Sequence, residues 1–335
     1  MAFGTAAGYG NLPNGNFSPV IYSKQVQLAF RKASVCEAIT NSDYFGEIAN
    51  MGDSVKIIKQ DLDDEDFSLT IDKANYFAFK VDDIEEAHSH VNFQSLASDR
   101  AAYRLGDQYD QDVLGYLSGF KQSALHGSPD TVNTTTNGSV AVSTAGTDEL
   151  LSSMKIDAAS FGGSAGDALA LQPRTGGATD STPAVGDTFP LTVIARMSRL
   201  LDQQNVDTQG RWLVVDPVFM ELLKDEDSRL FNADFGGSGL QNGLIGMNIH
   251  GFRVYTSNNL PTVGTGPSFT GTNSAVNYGM IVAGHDSAVA TAEQINKTET
   301  YRDPDSFSDI VRGMHLYGRK ILRPEALVNA KYHLA

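Results

Sequence analysis

The stretch Arg211-Trp212-Leu213-Val214-Val215-Asp216-Pro217 carries the clearest fold signal in the sequence. Its unbroken apolar run predicts a strand buried on both faces, because a strand with one solvated face would alternate apolar and polar residues. Asp216 suits a helix N-cap and Pro217 suits the first helical turn, so a helix is predicted over 218–224. A strand leading directly into a helix indicates a domain of mixed α and β structure.

The neighbouring segments continue this mixed pattern. An amphipathic helix is predicted over 190–204, with Pro190 in its first turn. Strands are predicted at 251–255 and 279–283, and residues 308–328 alternate as long strands do.

Residues 54–81 predict a projecting β-hairpin. One strand covers 54–59, and the return covers 67–71 and continues through 76–81. The turn between the strands contains the acidic residues Asp61, Asp63, Asp64, Glu65 and Asp66.

A long helix is predicted over 92–126, because apolar residues recur there at steps of three and four. Asn92 is a suitable N-cap and Gly127 a suitable stop. A helix of that length would span about 50 Å and would act as a strut.

Two further regions lack strong periodicity. Residues 1–20 are rich in Gly, Asn, Ala and Pro and are predicted to form an arm that depends on a partner for its structure. Residues 127–188 are dominated by Ser, Thr, Gly and Ala and are predicted to form short strands and surface loops.

The composition excludes several classes of protein. The chain has 335 residues, 41% of them hydrophobic, as a globular protein has. The net charge of −15 argues against a dedicated nucleic-acid binder, which needs Lys and Arg to neutralise phosphates. The single cysteine excludes an intrachain disulfide framework and a zinc site built from several thiolates. No apolar run is long enough to cross a bilayer.

No catalytic, cofactor or metal site is predicted. The acidic turn 61–66 lacks the central glycine and closing glutamate of a calcium loop. The loop 235–239 is glycine-rich, but no Gly-Lys-Ser/Thr follows it, so it does not match a phosphate-binding loop. No nucleophile elbow surrounds any serine.

Four stretches together resemble the major capsid proteins of tailed double-stranded DNA bacteriophages, which have the Hong Kong 97-type fold, and podovirus-like members in particular. They are the hairpin base 79–85, the strand-to-helix stretch 214–217, the returning strand 246–254 and the ending Arg323-Pro324-Glu325-Ala326.

This resemblance implies an α+β fold with an established order of parts. The implied divisions are an N-terminal arm at 1–50, an E-loop at 51–81, a P domain at 82–189 with its spine helix at 92–126, an A domain at 190–290, and strands at 291–335 that return through the P domain and close the A domain.

The resemblance also implies a function and partners. Copies of the chain would assemble into pentamers and hexamers of an icosahedral shell that encloses double-stranded DNA without sequence-specific binding. A scaffolding protein, a portal protein and a decoration or cement protein are implied partners. Assembly would take place in the host cytoplasm and the product would be part of the virion. No enzyme activity, cofactor or membrane is implied.

Charge suggests which residues meet at subunit interfaces. Residues 61–86 hold ten acidic and two basic side chains, so basic groups of a neighbouring copy would relieve their repulsion. The basic candidates are Arg100, Arg104, Arg312, Arg319 and Arg323. A solvated acidic surface is the alternative. The candidates for a loop at the capsomer centre are Phe235, Gly236, Gly237 and Gly239.

Two other functions stay open at this stage. The Ser/Thr/Gly-rich region 127–188 also fits a β-rich surface protein of the adhesin type. A hydrolase whose catalytic residues are dispersed in the sequence is the third possibility.

Overall fold

The computed structural model describes residues 34–42, 54–58, 66–82, 93–119, 121–122, 129–130, 150–172, 187–224, 248–263, 266–267, 278–303 and 308–334. The α-helices in this part of the chain are α1 Cys36–Ile39, α2 Phe93–Leu117, α3 Pro190–Gln203 and α4 Pro217–Leu223. Three short 3₁₀ helices lie at Ser152–Met154, Ala158–Phe161 and Pro324–Ala326.

The strands fall into four sheets. They are β1 Ser54–Ile58, β2 Asp66–Thr70, β3 Lys73–Asp82, β4 Lys121–Gln122, β5 Pro129–Asp130, β6 Lys155–Ile156, β7 Leu169–Leu171, β8 Asp187–Thr188, β9 Arg211–Val215, β10 Asn248–Ile249, β11 Phe252–Thr256, β12 Thr262–Val263, β13 Tyr278–His285, β14 Val289–Arg302, β15 Ser308–Ile321 and β16 Leu327–Leu334.

A mixed sheet of nine strands forms the centre of the fold. Its main order is β10-β11-β9-β13-β16-β7-β8, while β12 pairs with β13 and β6 pairs with β16. Strand β9 runs parallel to β11 and antiparallel to β13. The predicted strand 211–215 is therefore confirmed, and it lies inside the sheet with neighbours on both sides.

Helices cover both faces of this sheet, which is why β9 is apolar from Trp212 to Val215. On one face, Leu213 and Val215 pack in a core with α3 and α4. On the other face, Trp212 and Val214 pack in a core with the C-terminal half of α2. The sequence prediction of α4 also holds, because the Asp216 carboxylate accepts a hydrogen bond from the Phe219 amide at 3.1 Å and caps the helix.

A second sheet of three long strands has the order β14-β15-β3. Its strands are antiparallel, and β14 contains an irregularity between Glu293 and Ile295. The hairpin of β1 and β2 forms a separate two-stranded sheet, as does the short pair β4 and β5.

The extent of the hairpin differs from the prediction. Strands β1 and β2 confirm its first part, but residues 76–81 belong to β3 and pair with β15 instead of continuing the return strand. The chain breaks its strand at Ile71 and Asp72, and this break lets β3 join a different sheet.

The end of the long helix was also predicted wrongly. Helix α2 ends at Leu117, nine residues before the predicted His126. Gly119 has a φ of 84°, a left-handed conformation that glycine adopts readily and that commonly ends helices. The Ser118 amide still donates to the Leu114 carbonyl oxygen at 3.0 Å. Helix α2 is therefore about 37 Å long.

The nine-stranded sheet contains strands from outside the predicted A domain. Strands β6, β7 and β16 lie outside 190–290 but pair with one another or with β13 in this sheet. The predicted arm up to residue 33 and the glycine-rich loop 235–239 lie outside the described residues.

Two glycines give a matched test of the packing. A Cβ at Gly318 would overlap the carbonyl oxygen of Thr70, where β2 crosses β15, whereas a Cβ at Gly106 in α2 would meet nothing within 4 Å. Gly318→Ala should lower the melting temperature of the protein, while Gly106→Ala should raise stability by about 1 kcal/mol. Thermal unfolding monitored by circular dichroism measures both. Equal effects of the two substitutions would contradict the close approach at Gly318.

Candidate assembly surfaces

Asp110 joins three separate segments of the chain inside the core. Its side chain is fully buried in α2. The carboxylate accepts hydrogen bonds from the backbone amides of Val35 and Cys36, each at 2.9 Å, and from the side-chain amide of Asn259 at 2.8 Å. The hydroxyls of Ser34 and Ser257 donate to it as well. Helix α2, the segment before α1 and the loop after β11 therefore meet at one carboxylate.

A second junction fixes α2 against β15. The Tyr317 hydroxyl donates to the Asp112 carboxylate at 3.1 Å, and Arg319 forms an ion pair with the same carboxylate. The Arg319 guanidinium also lies 4.7 Å from the ring centroid of Tyr116. Tyr109 meets Tyr317 edge to face, with ring centroids 4.8 Å apart. The C-terminal half of α2 is thus packed between the nine-stranded sheet and the three-stranded sheet.

No sequence pattern indicates the role of Asp110. In the sequence, Asp110 lies with Asp107 and Gln111 among the polar residues between the apolar positions of the helix, and such positions usually face solvent. Its donors are 75 and 149 residues away in sequence, so no local pattern could reveal them.

The predicted basic interface residues occupy different environments. Arg100 and Arg323 are exposed. Arg104 is 65% exposed, with its Nη1 3.9 Å from the Asp107 carboxylate. Arg312 is exposed and pairs with Glu299 of its own chain at 2.8 Å. Arg319 is only 11% exposed and is bound to Asp112.

Of the five predicted acidic interface residues, the structure describes only Asp66. Asp66 is the first residue of β2. The described residues do not include Asp61, Asp63, Asp64 or Glu65, nor do they include Phe235, Gly236, Gly237 or Gly239 of the predicted capsomer-centre loop. Their proximity to basic groups therefore stays a prediction.

Two lysines near the edge of the core have shifted pKa values. Lys331 is 3% exposed, donates to the carbonyl oxygen of Gly166 and lies 5.4 Å from the ring centroid of Tyr278. Burial lowers its pKa to about 8. Burial and the charge of Lys331 lower the pKa of Lys155 to about 8 as well.

Within the described ranges, no group of three or more His, Cys, Asp or Glu side chains could hold a metal ion. None of the helices described is long and apolar enough to cross a membrane.

Comparison with known proteins identifies the family. The family model described as "Phage capsid protein" matches residues 64–330, which include α2, the three-stranded sheet and the nine-stranded sheet except for the end of β16. The chain belongs to this family of phage capsid proteins. The expected α+β fold of the Hong Kong 97 type is thereby confirmed, and the capsid protein is a structural component of a virion.

Solved phage structures match nearly the whole length of this capsid protein. A chain from Mycobacterium phage Che8 is 25% identical with a TM-score of 0.63, and the match covers 94% of this chain and 97% of that one. For the capsid structure of cyanophage P-SCSP1u the identity is 17%, the TM-score 0.62, and the coverage 97% of both chains. The capsid of Ralstonia phage GP4 is 12% identical with a TM-score of 0.62, and the match covers 99% of this chain and 98% of that one. A search of curated proteins found no significant match.

Removing the Asp110 carboxylate should destabilise the capsid protein strongly. Asp110→Ala leaves two buried backbone amides and the Asn259 amide without their acceptor, at a cost of about 3 kcal/mol or more. Asp99→Ala, at an exposed position of the same helix, should change stability by less than about 0.5 kcal/mol. Urea unfolding of the unassembled protein compares them. Equal losses of unfolding free energy in the two variants would show that the hydrogen bonds of Asp110 do not stabilise the fold specifically.

The lysine pKa values predict a dependence of stability on pH. Between pH 8 and the unfolded value of 10.5, the folded protein has released the Lys331 proton while the unfolded chain retains it. The unfolded state then binds more protons, so stability from this group rises with pH over that window. From pH 7.5 to pH 9.5, the melting temperature of the wild type should rise more than that of Lys331→Met. An equal rise in both proteins would contradict the lowered pKa.

Proposed function

We propose that this chain is the major capsid protein of a tailed bacteriophage. Many copies form pentamers and hexamers, and these close into an icosahedral shell around double-stranded DNA. The observation that carries the proposal is the family match over 64–330, combined with likeness to capsid chains over almost their full length. The role is structural and non-enzymatic. No observation favours the adhesin or the hydrolase.

The principal partner is another copy of the same chain. A separate scaffolding protein would guide assembly in the host cytoplasm, a portal protein would occupy one vertex, and a decoration protein would bind the finished shell. The excess of 40 acidic over 25 basic residues suits a container for DNA, because a net-negative wall does not hold phosphates tightly.

The acidic turn after β1 is proposed to contact basic groups of a neighbouring copy. Arg100 and Arg104 suit this role because they are one helical turn apart on α2 and their side chains are exposed. Arg323 is also exposed. Arg312 and Arg319 suit this role less well, because Glu299 and Asp112 of their own chain already pair with them. The loop 235–239 is proposed to lie at the capsomer centre.

Particle formation is the direct test of this function. The chain should form closed particles when it is expressed with the other head proteins of its phage, and electron microscopy and sedimentation should detect them. A protein that stays monomeric under those conditions would contradict the proposal.

Neutralising the acidic turn should weaken assembly without affecting the fold. Asp63→Asn, Asp64→Asn and Glu65→Gln together remove three charges, and at low salt the critical concentration for assembly should rise about tenfold. The difference from wild type should shrink as salt screens the charges. A control with Asp99→Asn, Asp207→Asn and Glu221→Gln removes the same charge at other exposed sites. Equal effects in both triples would indicate net charge instead of a specific contact.

A further inference from the structure

One face of the three-stranded sheet is open over most of its length. The open face is defined by Tyr76, Ala78 and Lys80 of β3, Arg312 and Met314 of β15, and Glu299 and Tyr301 of β14. The strand register pairs Tyr76 with Met314, and it aligns Ala78, Arg312 and Glu299 across the three strands. Directly paired residues project from the same side of a sheet, so these side chains form one surface.

The opposite face of this sheet is occupied by the protein's own helix. His315 and Tyr317 project toward α2, where Tyr109 packs against both of their rings. The described part of the hairpin covers one end of the open face, because Leu69 packs on Ala290 and Ala292 and the Thr70 carbonyl lies against Gly318. Beyond that end, the side chains of the open face are not covered by any described part of the chain.

The open face concentrates the exposed apolar side chains. Among the described residues, the large hydrophobic side chains that are exposed are Tyr76 at 80%, Tyr301 at 43%, Met314 at 40% and Leu151 at 37%. Three of these four belong to the open face. Exposed apolar side chains concentrated on one surface are typical of an interaction site.

The charged groups of this face neutralise one another. The Lys80 ammonium is 2.6 Å from the Asp303 carboxylate, and the Arg312 guanidinium is 2.8 Å from the Glu299 carboxylate. Arg312 also lies over the ring of Tyr301, 5.0 Å from its centroid. These two ion pairs sum to zero, although the whole chain carries −15. The register also places Lys297, opposite Met314, and Asp82, opposite Ser308, on this face, and their formal charges cancel as well.

This local neutrality identifies the occupant. Two copies with a net charge of −15 repel each other, so they approach most easily through surfaces without net charge. DNA would gain little from Lys80 and Arg312, because these cations already have carboxylate partners. We infer that the open face is an interface between copies of this chain, with Tyr76 and Met314 at its apolar centre. This inference rests on the proposed capsid function and assigns it a specific surface.

Substitution of the apolar centre tests the interface. The double variant Tyr76→Glu with Met314→Glu places unpaired charges on the face, and its particle yield should fall about tenfold or more. The melting temperature of the unassembled variant should stay close to that of the wild type, because both side chains are exposed. Leu151→Glu is the matched control, since it charges an exposed apolar residue that does not belong to this sheet. Normal assembly of the double variant, or equal loss in the control, would overturn the interface.

Cysteine labelling identifies the occupant directly. The native cysteine, Cys36, is buried, so a maleimide reacts selectively with Tyr76→Cys. Labelling should be fast in the unassembled protein and about tenfold slower or more in particles formed with the other head proteins. Equal labelling in both states would overturn the inference, as would protection that disappears when the other head proteins are removed from the particles. If the wild type forms no particles, the proposed function fails before the interface is tested.

Discussion

The fold depends on the burial of one half of α2 between two sheets. Leu114 and Leu117 contribute to the core that covers one face of the nine-stranded sheet, while Tyr109 packs against β15 of the three-stranded sheet. The same position buries the polar side chain of Asp110. Burying a carboxylate without partners would cost free energy, but five hydrogen-bond donors satisfy this one. Asp110 therefore binds α1 and the loop after β11 to the helix.

The sequence predicted elements whose signals are local. The apolar run 211–215, the cap at Asp216 and the proline at 190 each specify structure through their nearest neighbours, and all three predictions are confirmed. The predicted end of α2 is wrong because the apolar spacing continues past Gly119, whose left-handed conformation ends the helix. The predicted pairing of residues 76–81 is wrong because an alternating pattern predicts a strand but does not identify the neighbouring strand.

The surfaces were harder to predict than the fold, for a physical reason. Charge pattern in the sequence identifies which residues carry charge, but not which charges are already paired. Arg312 and Arg319 have carboxylate partners 13 and 207 residues away in their own chain, whereas Arg100 and Arg323 are exposed. The exposure of Tyr76 and Met314 on one surface follows from the pairing of β3 with β15, which no periodicity in either strand contains.

We infer a subunit whose described core is packed and whose open face is covered by a second copy. Hydrogen exchange of the unassembled protein and of assembled particles tests this most directly, because amide protection reports local stability in both states. Amides of 107–117 should be protected in both states, whereas those of β3 should gain protection on assembly. Rapid exchange of 107–117 in the free subunit, or no change in β3 on assembly, would contradict the account.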